Sequence, residues 1–209
     1  MDVYFVRHGQ TDGNVAKRHQ HANTPLNEVG QRQAEVAAWE ISEIKPTHII
    51  SSTQLRAVQT TKIIADYCEA VIPDTYPAFE ELKRPNSLVG NRYVGISTFF
   101  YVTAWFFGAK HEGGESYRDV IARIKEARAH IESLPSDSRV VVVSHAVFTN
   151  IFLEHLCSDE PMSLWRAVKR FWQIFTMRNA TIIHLKCHEA VPGICRWQYV
   201  SSTRVYQKN

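Results

Sequence analysis

The run Arg139-Val140-Val141-Val142-Val143-Ser144 constrains the fold of this chain more than any other stretch. Four consecutive β-branched residues leave neither face of a strand polar, so both faces must be covered. Such a strand belongs inside a sheet with helices on both sides. Two other short runs have the same character, Val3 to Val6 and Thr47-His48-Ile49-Ile50-Ser51. Helical patterns separate them. From about Glu28 to Ile44, Ala34, Ala37, Ala38 and Ile41 fall at i, i+3, i+4 and i+7, and Lys45-Pro46 ends the stripe. Ala57, Thr61, Ile64, Ala65 and Cys68 form a second stripe, with Thr53 as its expected cap. Tyr117, Val120, Ile124, Ala127, Ile131 and Leu134 form a third between Gly113-Gly114 and Pro135, and residues 146–156 read as a fourth helix. Residues 180–185 and 196–200 resemble two more strands, and the last residues a frayed tail. Strands alternating with helices predict an α/β sandwich with a largely parallel sheet, in a single domain over residues 1–209.

Composition removes several function classes. A formal net charge of +3, with no basic block, gives no footprint for nucleic acid. The opening residues lack a basic segment followed by an apolar core and a small-residue cleavage site, so no signal peptide is expected. Cys68, Cys157, Cys187 and Cys195 are scattered and do not form a disulfide-scaffold pattern, which makes a reducing cytoplasm the expected compartment. Neither His19 with His21 nor Cys187, His188 and Cys195 has a recognised zinc spacing, so no metal is expected. The aromatic segment from Ile96 to Phe107 is shorter than the ~20 residues needed to cross a bilayer. It reads as a core segment, a lid or a partner surface, and a homodimer interface is plausible if it is exposed. No membrane partner is expected.

Chemistry collects where the apolar runs end. The first ends in Arg7-His8-Gly9, the second in Ser51-Ser52 leading to Arg56, and the valine run in His145. Open α/β sheets bind ligands at the carboxyl ends of their strands. If these three strands are neighbours, two arginines and two histidines converge on one edge, which suits a dianion. Arginine offers a planar fork matched to phosphate, and a neutral imidazole can attack phosphorus. Gly9 lets the backbone pass close to a ligand. Arg56 falls in the first turn of its helix, where free N–H groups favour anions.

At this point the chain resembles the histidine phosphatase superfamily, the phosphoglycerate-mutase-like proteins. The matching blocks are Val6-Arg7-His8-Gly9-Gln10-Thr11 with Asn14, Pro25-Leu26-Asn27-Glu28-Val29-Gly30, Ser51-Ser52 with Leu55-Arg56-Ala57, Phe79-Glu80-Glu81-Leu82, Gly113-Gly114-Glu115-Ser116 and Val142-Val143-Ser144-His145. The resemblance implies a three-layer α-β-α sandwich. It also implies that His8 is the nucleophile, becoming a phosphohistidine, with Arg7, Arg56, His145 and the Asn14 amide neutralising and positioning the phosphoryl oxygens. Glu81 matches the family's general acid and base, and neither metal nor cofactor is then required. Glu80 reads instead as a solvated charge paired with Lys83 or Arg84, and Glu115-Ser116 as the start of a helix.

Two departures from the family pattern stand out. Residues 17–23 carry no glycine before the Pro-Leu pair, and the stretch after Pro85 lacks the usual Gly-x-Trp-Glu-Gly run. Insertions at that place commonly form the lid, so residues 86–112 are expected to shape substrate choice. Lys83, Arg84 and Arg92 read first as solvent-facing cations and only second as contacts for another anionic group. The expected activity is metal-independent hydrolysis of a small phosphomonoester. The alternatives are a phosphomutase, a non-catalytic phosphate-binding protein and a phosphohistidine protein phosphatase.

Overall fold

In the computed structural model, which describes residues 1–68 and 71–203, the chain forms strands β1 (Asp2–Arg7), β2 (His48–Ser51), β3 (Asp74–Thr75), β4 (Arg139–Ser144), β5 (Ile182–Cys187) and β6 (Trp197–Thr203). The helices are α1 (Asp12–Val15), α2 (Glu28–Ile44), α3 (Leu55–Tyr67), α4 (Ile96–Phe106), α5 (Tyr117–Glu132), α6 (Ala146–Glu154) and α7 (Leu164–Thr176). Residues 204–209, read above as a tail, lie outside the described residues. The sheet order is β3-β2-β4-β1-β5-β6. Its β3-β2-β4-β1 part is parallel, while β5 and β6 run antiparallel and complete one side. The sheet is therefore mixed, with the valine strand between the first two strands of the chain.

Strand alternation divides the core into two layers. Val3, Phe5, Val140 and Val142 pack on one side with Val120, Ile124 and Ile131 of α5 and Phe148 and Phe152 of α6. Val6, Val141 and Val143 pack on the other with Ala37, Ala38 and Ile41 of α2 and Ala57 and Ile64 of α3. All four β4 valines are fully buried, each contributing about 1.5–3 kcal/mol of burial free energy. The small residues of the α2 stripe let that helix lie close to its neighbours.

The structure departs from the sequence reading in four places. Helix α3 is capped by Gln54, which makes no side-chain capping bond, and Thr53 instead donates to Glu80 Oε1. Strand β5 begins at Ile182 because Ala180 adopts a left-handed φ of 55° while its N–H bonds Arg7 O at 3.0 Å. Helix α7 was not expected. Cys157 and Cys195, 38 residues apart, form a disulfide. That pairing was invisible as a spacing because α7 and β5 intervene, and it removes the cysteine argument for a reducing compartment. Among the described residues no helix is long and apolar enough to cross a membrane.

Candidate active site

Because β2, β4 and β1 are adjacent and parallel, their carboxyl ends share one edge. Arg7 is the last residue of β1 and His8 follows it, Ser52 follows β2, and His145 follows β4 as the residue preceding α6. His8 and His145 are both buried, with ring centroids 5.0 Å apart. His8 Nδ1 lies 2.7 Å from Gly9 O, an acceptor, so this nitrogen carries the proton and Nε2 keeps its lone pair. Arg56, in the first turn of α3, donates from Nε to that Nε2 at 3.2 Å and from Nη1 to His21 O at 3.0 Å. Arg7 donates from Nη1 to Met177 O, while its Nε is buried without a partner. His145 Nε2 lies 2.8 Å from Ser52 Oγ, and its Nδ1 is also buried without a partner.

Burial makes this cluster electrostatically unusual. Desolvation, then the charges of Arg56 and Arg7, hold His8 well below the ordinary histidine pKa, so the imidazole is neutral near pH 7. Desolvation and the same two arginines do the same to His145. Burial also lowers Arg56 to about 10, with Glu81 acting in the opposite sense. A buried and a half-buried guanidinium facing two neutral imidazoles are a concentration of positive charge that a dianion would relieve.

Glu81 borders the same cavity as Arg7, His8 and Arg56. It lies beyond the short turn Pro77–Phe79, and three backbone N–H groups hold its carboxylate: Leu82 at 2.9 Å, Phe148 at 3.0 Å and Val147 at 3.3 Å. The latter two belong to the first turn of α6, a favourable place for an anion. Behind this turn, Arg123 donates from Nη1 to Ala78 O (3.0 Å) and Glu80 O (2.7 Å) and grips Glu115 at 2.7 and 2.8 Å. Glu115 thus anchors a buried ion pair, and Ser116 caps α5. Glu80 pairs with Lys83 at 3.4 Å, as read from the sequence.

Asn14 also borders the cavity, but its amide is already engaged. Its Oδ1 accepts from Thr11 N and Asn179 Nδ2, and its Nδ2 donates to the Tyr93 hydroxyl at 3.4 Å. Three contributors escaped the sequence reading. Asn179 ties the loop together by donating to His8 O (3.0 Å) and Gly9 O (3.1 Å). Tyr93 sits at the cavity wall, accepting from Asn14 and from Gln20 at 3.1 Å. Met177 acts through a carbonyl, which no side-chain motif can announce. Arg84 and Arg92 line the cavity, whereas Lys83 is not among its lining residues. Within residues 86–112, α4 supplies part of the wall, and main-chain bonds stitch the segment to the glycine-free loop: His19 N to Asn91 O at 2.9 Å and Tyr93 N to Lys17 O at 2.8 Å. His19 does not join His21 in a metal cluster, and no grouping of three or more potential ligands occurs among the described residues.

The loop after β1 also fits closely against α2. A Cβ on Gly9 would lie 2.3 Å from Gly30 O, and one on Gly30 would lie 2.0 Å from Gln10 O. Both positions therefore require glycine for close approach of two backbones.

The family model described as "Histidine phosphatase superfamily (branch 1)" matches residues 3–199. A protein of Yersinia pestis named "Probable phosphoglycerate mutase GpmB" is 34% identical over 163 residues, covering 75% of this chain and 74% of that protein. Among solved structures, "Mycobacterial hydrolase 1" superposes with a TM-score of 0.76 at 27% identity, covering 96% of each chain. A mycobacterial glucosyl-3-phosphoglycerate phosphatase in complex with VO3 gives a TM-score of 0.76 at 27% identity, over 95% of this chain and 96% of that one. The family model spans nearly the whole sequence, and the chain belongs to the histidine phosphatase superfamily, branch 1.

Proposed function

We propose that the protein hydrolyses a phosphomonoester through a phosphohistidine on His8. The observation that carries this reading is the placement of the His8 ring. Its Nδ1 lies against Gly9 O, which leaves Nε2 as the attacking nitrogen among Arg7, Arg56 and His145 once the substrate's phosphoryl oxygens take over the Arg56 Nε–H that it accepts. In the first step the Nε2–P bond forms as the ester P–O bond breaks. The guanidiniums of Arg7 and Arg56, with His145, take up the charge spread over the equatorial oxygens. The leaving alkoxide receives its proton through the Glu81 carboxyl, which takes it up from the monoanionic ester. In the second step Glu81, now a carboxylate, accepts a proton from water as the water oxygen attacks phosphorus and the P–N bond breaks. Asn14 and Asn179 hold the loop that presents His8, and residues 86–112 act as the lid that shapes substrate choice.

A second reading is a mutase, which returns the phosphoryl group from His8 to another position of a sugar acid. The name of the Yersinia pestis relative favours it. The glucosyl-3-phosphoglycerate phosphatase among the structural relatives favours hydrolysis. Turnover of an aryl phosphate in 18O-labelled water separates them. Hydrolysis gives labelled inorganic phosphate and loss of activity in His8→Ala. Transfer to an added sugar acid without labelled phosphate would overturn hydrolysis, and undiminished activity in His8→Ala would overturn the site itself.

A further inference from the structure

The cavity that opens at His8 continues well beyond the space of a phosphate. Its volume is about 960 Å³, near the upper end of the roughly 300–1,000 Å³ of small-molecule sites. Two helices show which way it runs. Along α7 and the residue that ends it, Ala167, Arg170, Ile174 and Met177 all line it, at i, i+3, i+7 and i+10. Met177 is the residue whose carbonyl holds Arg7, so this wall reaches about 15 Å from the phosphate end at the helical rise per residue. Along α6, the lining passes from Ala146 and Val147, beside Glu81, to Ile151.

The far part of this chamber is apolar. Helix α4 contributes Tyr101, Val102, Trp105 and Phe106, at i, i+1, i+4 and i+5, and Met162 adds to the same cavity. Tyr101 and Trp105 are 5% and 7% exposed, so their rings are fixed walls. Trp105 and Phe106 are braced by Tyr117, at 5.0 and 6.0 Å between ring centroids. Arg170, the cation on the α7 wall, is engaged by Glu154 at 2.5 Å and Gln173 at 2.8 Å. Among the other lining cations, Arg84 acts electrostatically on Arg56 at the phosphate end and on Tyr101 of the α4 wall, Arg178 follows Met177, and Arg92 pairs through its backbone with Arg18, next to Lys17.

We propose that this chamber is a subsite for an apolar leaving group, so that the preferred substrates are phosphomonoesters of alcohols carrying an alkyl or aryl body. The inference rests on the hydrolytic reading above. A sugar-acid ester would cover less of this apolar wall than an alkyl or aryl ester and would draw less binding energy from it. Binding energy gained by the remote part of the substrate appears in kcat/KM.

The test is phosphate release by the intact protein from methyl, butyl and hexyl phosphate and from 3-phosphoglycerate. Burial of each methylene corresponds to about a fourfold gain in kcat/KM. The expected result is a rise of that order per carbon from methyl to butyl, continuing to hexyl, with 3-phosphoglycerate below butyl phosphate. In Ala167→Phe, which fills the chamber, and in Val102→Asp, which makes its wall polar, the hexyl-to-methyl ratio should fall toward 1. Equal values within about twofold across the wild-type series, or a best rate with 3-phosphoglycerate, would overturn this inference and leave the hydrolytic reading standing. No phosphate from any ester would overturn both.

Discussion

Gly30 provides a perturbation whose sign differs between two physical accounts. As a residue inside helix α2, its replacement by alanine should stabilise the protein by about 0.5–1 kcal/mol, because glycine is the poorer helix former. Packing predicts the reverse. The new Cβ would sit 2.0 Å from Gln10 O and 2.6 Å from Gln10 N, against an ordinary contact distance of 3.4 Å or more, so the loop or the helix must retreat by 1.4 Å. The obstacle is backbone on both sides and cannot rotate away. Overpacking of this kind costs about 1–3 kcal/mol, and for a chain of this length that lowers Tm by roughly 2–12 °C. Gln10 lies two residues from His8, and its backbone is tied to Asn27, whose N–H donates to Gln10 O at 3.0 Å. A displacement of about 1 Å at a reacting group can cost on the order of 100-fold in rate. Thermal unfolding and steady-state hydrolysis of an aryl phosphate by Gly30→Ala check both numbers. A folded variant with raised Tm and activity within twofold of wild type would refute the claim that backbone contact sets this position.

Stability should also fall on acidification. His8 and His145 are held neutral in the fold by burial and by the neighbouring arginines, and burial followed by the charge of Arg84 lowers His19 to about 4. All three lie below the ordinary histidine pKa of about 6.5 in the unfolded chain. The unfolded state therefore binds more protons as pH falls through that value, and folded stability declines from there toward pH 4. Urea midpoints at pH 7.5 and pH 5 test this, and an unchanged or higher midpoint at pH 5 would contradict the burial argument. Arg123→Met should lose about 3–5 kcal/mol, since it strands Glu115 in a buried site. It should also lower kcat more than it raises KM, because the turn that carries Glu81 loses its two carbonyl anchors.

Much of the architecture could be read in advance because local signals agreed with the global fold. The β4 valines, the α2 alanine stripe with its end at Lys45-Pro46, and the Ser116 start of α5 all act through short-range chemistry, and each marks its element in one window. The convergence of Arg7, His8, Arg56 and His145 was legible for a similar reason, since each follows a run that had to be a buried parallel strand. What was missed depends on contacts across the chain. Asn179 works 171 residues from His8 through an amide that no spacing announces. Tyr93 occupies a segment without the family's usual run, so nothing local marked it as a wall residue. Helix α7 does carry a periodic signal, with Leu164, Val168, Phe171 and Phe175 recurring at helical spacing, but interleaved tryptophans and cations blurred the stripe. The disulfide joins residues flanking that helix and β5, and depended on knowing both.

The most direct test of the account is to catch the phosphoryl group on the enzyme. Brief mixing with a phosphomonoester labelled in its phosphate, an alkaline quench and peptide mapping should locate label on the peptide containing His8. That label should persist in base and be lost in acid, as expected of phosphorus bonded to nitrogen. Label on any other residue, or none while phosphate is being released, would contradict the central claim.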